Sequence, residues 1–282
     1  MVGSANEAED IVQEAFLRMW RAIEDGTDVE VPRAYLAKIT TRLAIDHLRS
    51  ASTRRESYVG TWLPEPLVSE AEPDPAQHAE LAESLSMAFL VVLESLAPVE
   101  RAVFLLREVF RFSYPEIGDI VGKNEVNCRQ IFARARRHVD AGRPRFEATA
   151  GQRQSLARAF FTAAERGDVE GLVRLLAADV AFHGDGGGRA TAVRQPVHGR
   201  ERVGRLVVGL LAWARQRDLR VRPVDVNGQP GAMFLDPQDR LVNVVCLDVA
   251  EGSVQAIRSV VNPDKLGHLG PVSDLGRVGR PR

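Results

Sequence analysis

The sequence predicts a multidomain chain, all-α over its first half and α+β over its second. Three observations carry that expectation. From Ala5 to Val139 apolar residues recur at helical spacing, broken by proline- and glycine-bearing loops. From Val221 onward short Val/Ile-rich runs alternate with turn residues, as paired strands do. Between these halves Gly142–Pro144 interrupts the helical pattern, and the charge balance changes sign across the break. The length of 282 residues is enough for two or three domains, each with its own core.

The first helix is expected over Ala5–Ile23, with Ile11, Val12, Ala15, Phe16, Met19, Trp20 and Ile23 on one stripe. Glu7, Glu9, Asp10 and Glu14 load its first turns with negative charge, which suits the helix dipole. Pro32 opens a second helix with Tyr35, Leu36, Ile39, Leu43 and Leu48 inward. Lys38, Arg42, Arg49, Arg54 and Arg55 fall largely outward on it.

Tyr58–Pro75 contains Pro64, Pro66, Pro73 and Pro75 and reads as an extended connector. Within it Trp62-Leu63-Pro64-Glu65-Pro66 is too apolar to lie idle, so Trp62 and Leu63 should anchor on a partner surface. A helix over Ala79–Leu96 follows and is expected to pack beneath the next motif.

That motif is the most specific local signal. Ser113 and Glu116 form a capping box that starts a helix at Tyr114, with Pro115 in its first turn. Ile117, Ile120 and Val121 line one face, and Gly122 supplies the left-handed end. Asn124 caps a second helix whose Cys128, Ile131, Phe132, Ala135 and Val139 form a core stripe. Its other face offers Glu125, Asn127, Arg129, Gln130, Arg134, Arg136 and Arg137. This is a helix-turn-helix. The early polar residues would reach base edges, and the later arginines would grip phosphates.

Charge is segregated. Residues 1–150 hold 18 Lys/Arg and 24 Asp/Glu, a balance of −6, whereas residues 151–282 hold 19 and 14, or +5. Glu56–Glu100 carries nine acids and no base, while Arg33–Arg55 carries six bases and one acid. A generic nucleic-acid binder is basic throughout its domain, whereas here two basic helices flank an acidic connector. Cys128 and Cys246 both fall at core positions and read as buried thiols of a reducing compartment. The sequence shows neither a bilayer-spanning apolar run nor a signal peptide, so a cytoplasmic location is expected. Phosphate-loop, metal-ligand and nucleophile-triad patterns are also absent, so no metal, cofactor or catalytic residue is expected.

In the second half, helices are expected over Gln154–Glu165, Val169–Leu176 and Arg202–Arg215. Strands are expected over Val221–Val226, Ala232–Leu235, Leu241–Val249 and Val254–Val261. His183 and Asp185, with Asn227 and Arg258 further off, are the residues an acid–base enzyme would use. Asp185-Gly186-Gly187-Gly188 reads better as a tight turn in which the Asp accepts local N–H bonds.

The segments AEDIVQEAFLRMW and PRAYLAKITTRLAIDHLRSA resemble region 2 of the extracytoplasmic-function sigma factors, and the helix-turn-helix is similar to their region 4. WLPEP resembles the mark of the sigma-J subgroup, which carries a fused C-terminal SnoaL-like domain of the cone-shaped, NTF2-like class. AADVAFHGDGGG, VNGQPG and VVNPDKL resemble that domain. The implied layout is region 2 over 1–56, the acidic linker over 57–75, region 4 over 76–142, the SnoaL-like domain over 150–268 and a flexible tail over 269–282.

The resemblance implies core RNA polymerase and promoter DNA as partners, with region 2 at the minus-ten element and region 4 at the minus-thirty-five element. It puts Asp10, Gln13 and Glu14 on the polymerase-facing surface and the basic residues of the second helix on DNA. It implies control by the fused domain rather than by a separate anti-sigma factor. Trp62, Leu63, Pro64, Glu65 and Pro66 would then work with Asn262, Pro263, Asp264, Lys265 and Leu266 as the interdomain contact. The family normally has one more helix before Ala5, so region 2 is expected to be truncated at its N-terminus. The competing reading is a stand-alone helix-turn-helix regulator whose C-terminal domain senses a ligand.

Overall fold

The computed structural model describes residues 1–56, 58–69, 86–142 and 149–277. The chain divides into two compact units, one of Met1–Ser57 and Phe89–Arg143, the other of Tyr58–Ala88 and Pro144–Arg282.

The described elements of the first unit are helices. α1 (Ala5–Glu24) is capped by Ser4, whose side chain accepts from the Glu7 amide at 3.2 Å. α2 (Pro32–Glu56) packs on it and buries Ala44, Ile45 and Leu48. The stripe predicted for α1 is largely uncovered: Ala15 is buried, but Val12, Phe16, Trp20 and Ile23 are about half exposed, at 44%, 53%, 58% and 51%. Helical periodicity identified the face correctly. It could not say whether this unit covers it.

α3 (Met87–Glu94), α4 (Pro98–Glu108), α5 (Tyr114–Val121) and α6 (Glu125–Gly142) enclose the other core of this unit. Phe104, Ile117, Cys128, Phe132 and Val139 are buried there, with Phe104 stacked on Phe132 at 6.1 Å. The part of the predicted 79–96 helix before Ser86 lies outside the described residues. Arg101 is buried and clamped on Glu94 through two bonds of 2.8 and 3.2 Å, which satisfies the charge it takes out of water.

The described residues of the second unit form a seven-stranded sheet in the order β1-β4-β5-β6-β7-β2-β3. These strands are β1 (Val68–Ser69), β2 (Leu176–Asp185), β3 (Val197–His198), β4 (Arg220–Val226), β5 (Gln229–Leu235), β6 (Leu241–Ala250) and β7 (Ser253–Val260). Only β2 and β7 run parallel; the other neighbours are antiparallel. Helices α7 (Ala150–Arg166), α8 (Val169–Leu175) and α9 (Arg200–Arg215) pack with the sheet around Phe160, Leu172, Val203, Phe234, Leu247 and Ile257. α7 starts four residues before the expected Gln154, because Thr149 and Gln152 form a capping box that fixes the start.

Two expectations about the chain between and after the domains are corrected. The described part of the linker, 58–69, is not a separate element: it belongs to the second unit and contributes β1, which pairs with β4 through Val68 and Val226. Nor are residues 269–277 a loose tail. Leu241 and Val272 form a bridge, Ala190 and Arg277 another, and buried Ser273 donates to Asp236 Oδ2 at 2.6 Å. Val272, Ser273 and Leu275 supply the side chains for this anchoring, too sparse a pattern to stand out among the neighbouring Gly and Pro.

Candidate nucleic-acid interface and the Asp185–Lys265 clasp

The helix-turn-helix forms as its sequence dictates. Ser113 accepts from the Glu116 amide at 3.5 Å, and the Glu116 carboxylate accepts the Ser113 amide at 2.7 Å. The Ser113 hydroxyl, together with that amide, donates to the Glu116 carboxylate and holds its carboxyl below the usual carboxylate range. Gly122 ends α5 at φ 69°, and Asn124 Oδ1 accepts from the Asn127 amide at 2.8 Å to start α6. Gly118 adds a constraint not evident in the pattern. A Cβ there would lie 2.6 Å from the Lys123 carbonyl, so the turn closes only over a glycine.

Cys128, Phe132, Ala135 and Val139 point into the core, which leaves Asn124, Asn127, Arg129, Gln130, Arg134, Arg136 and Arg137 exposed together. Glu125 is half-buried and pairs with Arg129 at 2.5 Å, and the Arg129 guanidinium also lies over the Tyr114 ring at 5.0 Å. Arg134 reaches Glu100 at 3.8 Å, Arg136 reaches Asp140 at 3.7 Å, and Arg137 donates to the Ala133 carbonyl at 3.2 Å. These exposed contacts orient side chains at little energetic cost to their release.

On α2, Arg49 is exposed beside Asp46 at 3.7 Å and Lys38 is half-buried. Arg42 donates instead to the Ile120 carbonyl of α5 at 3.2 Å, so here it serves a protein acceptor. The side chains of Arg54 and Arg55 lie outside the described residues. Asp10 and Gln13 are exposed on α1, while Glu14 is half-buried and bonded to Arg18 at 2.7 Å.

The WLPEP segment crosses the second unit as a strap. Asp185, fully buried, accepts on Oδ2 from the Leu63 amide at 2.8 Å and from Lys265 Nζ at 2.7 Å. Its Oδ1 accepts from the Tyr58 hydroxyl. Lys265 Nζ also donates to the Leu63 carbonyl and lies 3.9 Å from the Trp62 ring centroid. Asn262 Nδ2 donates to the Tyr58 oxygen at 2.9 Å, and His268 Nε2 lies 2.9 Å from the Pro66 carbonyl. Further along, the Leu67 amide donates to Asn227 Oδ1 at 3.0 Å and the Asn227 amide to the Leu67 carbonyl at 2.8 Å. Leu63, Pro64, Glu65, Pro66 and Leu266 are buried. Pro263 opens a short 3-10 turn (Pro263–Lys265), and Asp264 pairs with Arg189 at 3.4 Å on the surface.

Asp185 therefore does not accept local turn bonds as expected; its partners are 80 to 127 residues away. The glycines behind it are needed all the same, since a Cβ on Gly187 would fall 2.3 Å from Asn262 Nδ2. Tyr58 had no assigned role in the sequence. Its position as the first aromatic of the strap was the available signal. Burial and the Asp185 carboxylate together raise the Tyr58 pKa, so its hydroxyl is a fixed donor.

His183 and Asp185 alternate with Phe182 and Gly184 along β2, and only the latter two line the cavity between sheet and helices. Burial lowers the His183 pKa to about 4, helped by Arg258 and His198. Arg258 is buried in an ion pair with Asp248, and burial brings its pKa down to about 10. The acid–base candidates thus do not converge on the cavity, whose described lining has no carboxylate or histidine. No helix among the described residues is long and apolar enough to cross a membrane.

Comparison with known proteins agrees with this layout. Residues 1–54 match the model for Sigma-70 region 2, residues 86–139 that for Sigma-70 region 4, and residues 157–240 that for the SnoaL-like domain. The chain is 36% identical to the ECF RNA polymerase sigma factor SigJ of Mycobacterium tuberculosis, over 94% of this chain and 87% of that protein. It is 35% identical to the probable ECF RNA polymerase sigma factor SigI of the same species, over 95% and 89%. The crystal structure of M. tuberculosis SigJ superposes with a TM-score of 0.75 at 32% identity, covering 96% of this chain and 93% of that one. Two sigma regions in order, a helix-turn-helix and a fused SnoaL-like domain place the chain in one family: it belongs to the extracytoplasmic-function RNA polymerase sigma factors.

Proposed function

We propose that the SnoaL-like domain regulates this sigma factor by holding the strap between regions 2 and 4. The observation that carries the reading is the buried Asp185–Lys265 pair, which binds Tyr58, Trp62 and Leu63. The strap is part of the connector from α2 to α3, the thirty residues 57–86. Pinning 58–69 to the domain removes twelve of these from the tether. The course of those twelve is then fixed by the domain, which restricts the distances α2 and α3 can adopt. A sigma factor must set two promoter-reading regions a fixed distance apart, so the clasp acts on the variable that matters.

In this reading region 4 meets the minus-thirty-five element through Asn124, Asn127, Arg129 and Gln130, with Arg134, Arg136 and Arg137 on phosphates. Lys38, Arg42, Arg49, Arg54 and Arg55 meet the minus-ten element, and Asp10, Gln13 and Glu14 face core polymerase. Arg42 would exchange the Ile120 carbonyl for DNA. Regulation by the fused domain takes the place of a separate anti-sigma factor, and the protein works in the cytoplasm, where polymerase is.

The test is in vitro transcription with core polymerase, comparing the full chain with Lys265→Met and Trp62→Ala. Both variants should change promoter output in the same direction. Output identical to the full chain in both would remove the clasp from the mechanism.

A further inference from the structure

Arg129, early in α6, is held both along one edge and against a ring. Glu125 Oε1 accepts from Arg129 Nε at 3.1 Å and from Nη2 at 2.5 Å, which occupies the side edge of the guanidinium. The end edge, formed by Nη1 and the second Nη2 proton, has no partner among the described residues. The Arg129 Cζ lies over the Tyr114 ring, 5.0 Å from its centroid.

Tyr114 is itself fixed. It is the first residue of α5, where the Ser113–Glu116 capping box sets its backbone. Its ring meets that of the buried Phe132 edge-on, at 6.1 Å and 67°. It also carries Arg107 of α4 at 4.8 Å, whose Nη1 donates to the Phe112 carbonyl at 2.9 Å. The ring is therefore a platform anchored in the core. An exposed arginine samples many rotamers, and holding it beforehand lowers the cost of ordering it on binding. The open end edge suits a base with two acceptors side by side, and guanine offers O6 and N7.

We propose that Tyr114 and Glu125 are positioning residues that present the open edge of Arg129 to one guanine of the minus-thirty-five element, without touching that base themselves. The inference rests on the reading of α6 as the minus-thirty-five contact. Glu125, expected from the sequence to meet a base edge, serves the arginine instead.

The test uses holoenzyme of core polymerase and the full-length chain, titrated with promoter duplexes in which each base pair of the minus-thirty-five element is exchanged in turn. Arg129→Ala identifies the pair that Arg129 reads, as the one whose discrimination collapses. Replacing its guanine by 7-deazaguanine, which lacks N7, should reproduce part of that loss. Tyr114→Leu should cut discrimination at the same pair by about two- to fivefold, the scale of an exposed cation–π contact. Tyr114→Phe, which keeps the ring, should restore it. Glu125→Ala should cut it about twofold, the scale of an exposed i,i+4 ion pair, and decides the matter if Tyr114→Leu does not fold. Discrimination at the other pairs should hold in both variants, which a general loosening of the fold would not allow. The proposal is overturned if these substitutions leave that pair unchanged, lower all pairs alike, or act at a different pair. If Arg129→Ala itself flattens no pair, the base-reading role of Arg129 falls first and takes the proposal with it.

Discussion

Lys265 Nζ lies 2.7 Å from Asp185 Oδ2, in a pair where the lysine side chain is 9% exposed and the carboxylate 0%. Neither charge faces water, so each depends on the other and on the strap groups that complete its hydrogen bonds. Removing one member of such a pair strands the other, at a cost of about 3–5 kcal/mol. Lys265→Met should lower the stability of the SnoaL-like domain by that order and make the strap newly sensitive to protease near Trp62. Asp185→Asn should also be costly, since its single amide oxygen replaces only one of the two carboxylate oxygens that Leu63 and Tyr58 use and leaves Lys265 without a counter-charge. Guanidinium unfolding followed through the Trp62 environment, with limited proteolysis, measures both.

Base readout should reside in the first two turns of α6. Arg129→Ala or Gln130→Ala should relax base preference by about 1–3 kcal/mol, the scale of a good base contact. Arg136→Ala or Arg137→Ala should weaken all sequences alike and flatten the salt dependence. Competition binding of holoenzyme to promoter variants at several salt concentrations separates the two. Equal loss of discrimination from both sets would show that a different face reads the bases.

Gly118→Ala should disable the helix-turn-helix without touching a DNA-facing residue. Its Cβ would meet the Lys123 carbonyl at 2.6 Å, a backbone atom that cannot step aside. α5 and α6 must then part, disturbing the packing of Ile117, Cys128 and Phe132. Promoter binding should fall together with thermal stability, and a variant with unchanged melting would contradict this account.

His183 makes stability pH-dependent. Burial holds its folded pKa at about 4 against an ordinary 6.5, so between these values the unfolded chain binds a proton that the folded domain does not. Stability from this group is therefore complete above about pH 6.5 and is lost as pH falls toward 4. Substituting His183→Asn should shrink the drop in melting temperature between pH 7 and pH 4.5. Identical drops in the two proteins would mean that His183 is more open to water than its surroundings imply.

Much of the fold is legible in the sequence where the signal is local. Ser113/Glu116, Gly122 and Asn124 each act within four residues, so their pattern alone specifies the helix-turn-helix. The strands β4, β6 and β7 are legible because Val or Ile recurs along them, and β5 because Ala232–Leu235 is an apolar run. β2 is not, since Ala177-Ala178-Asp179 follows α8 without a break and mimics a continuing helix. The clasp shows where local reading stops. Trp62 and Leu63 visibly needed a partner and Asn262–Leu266 was a visible candidate, but Asp185 looked like a turn residue. Its true partners, Tyr58, Leu63 and Lys265, lie too far along the chain for spacing to reveal.

Regulation by the fused domain is tested most directly by transcription from a cognate promoter with core polymerase. The full chain is compared with a chain ending after Gly142 and with full-length Lys265→Met. Deleting the domain and opening the clasp should shift promoter output in the same direction, with the deletion at least as strong. If both proteins match the full chain in output and in promoter choice, the SnoaL-like domain is a passenger and the clasp only a fold contact.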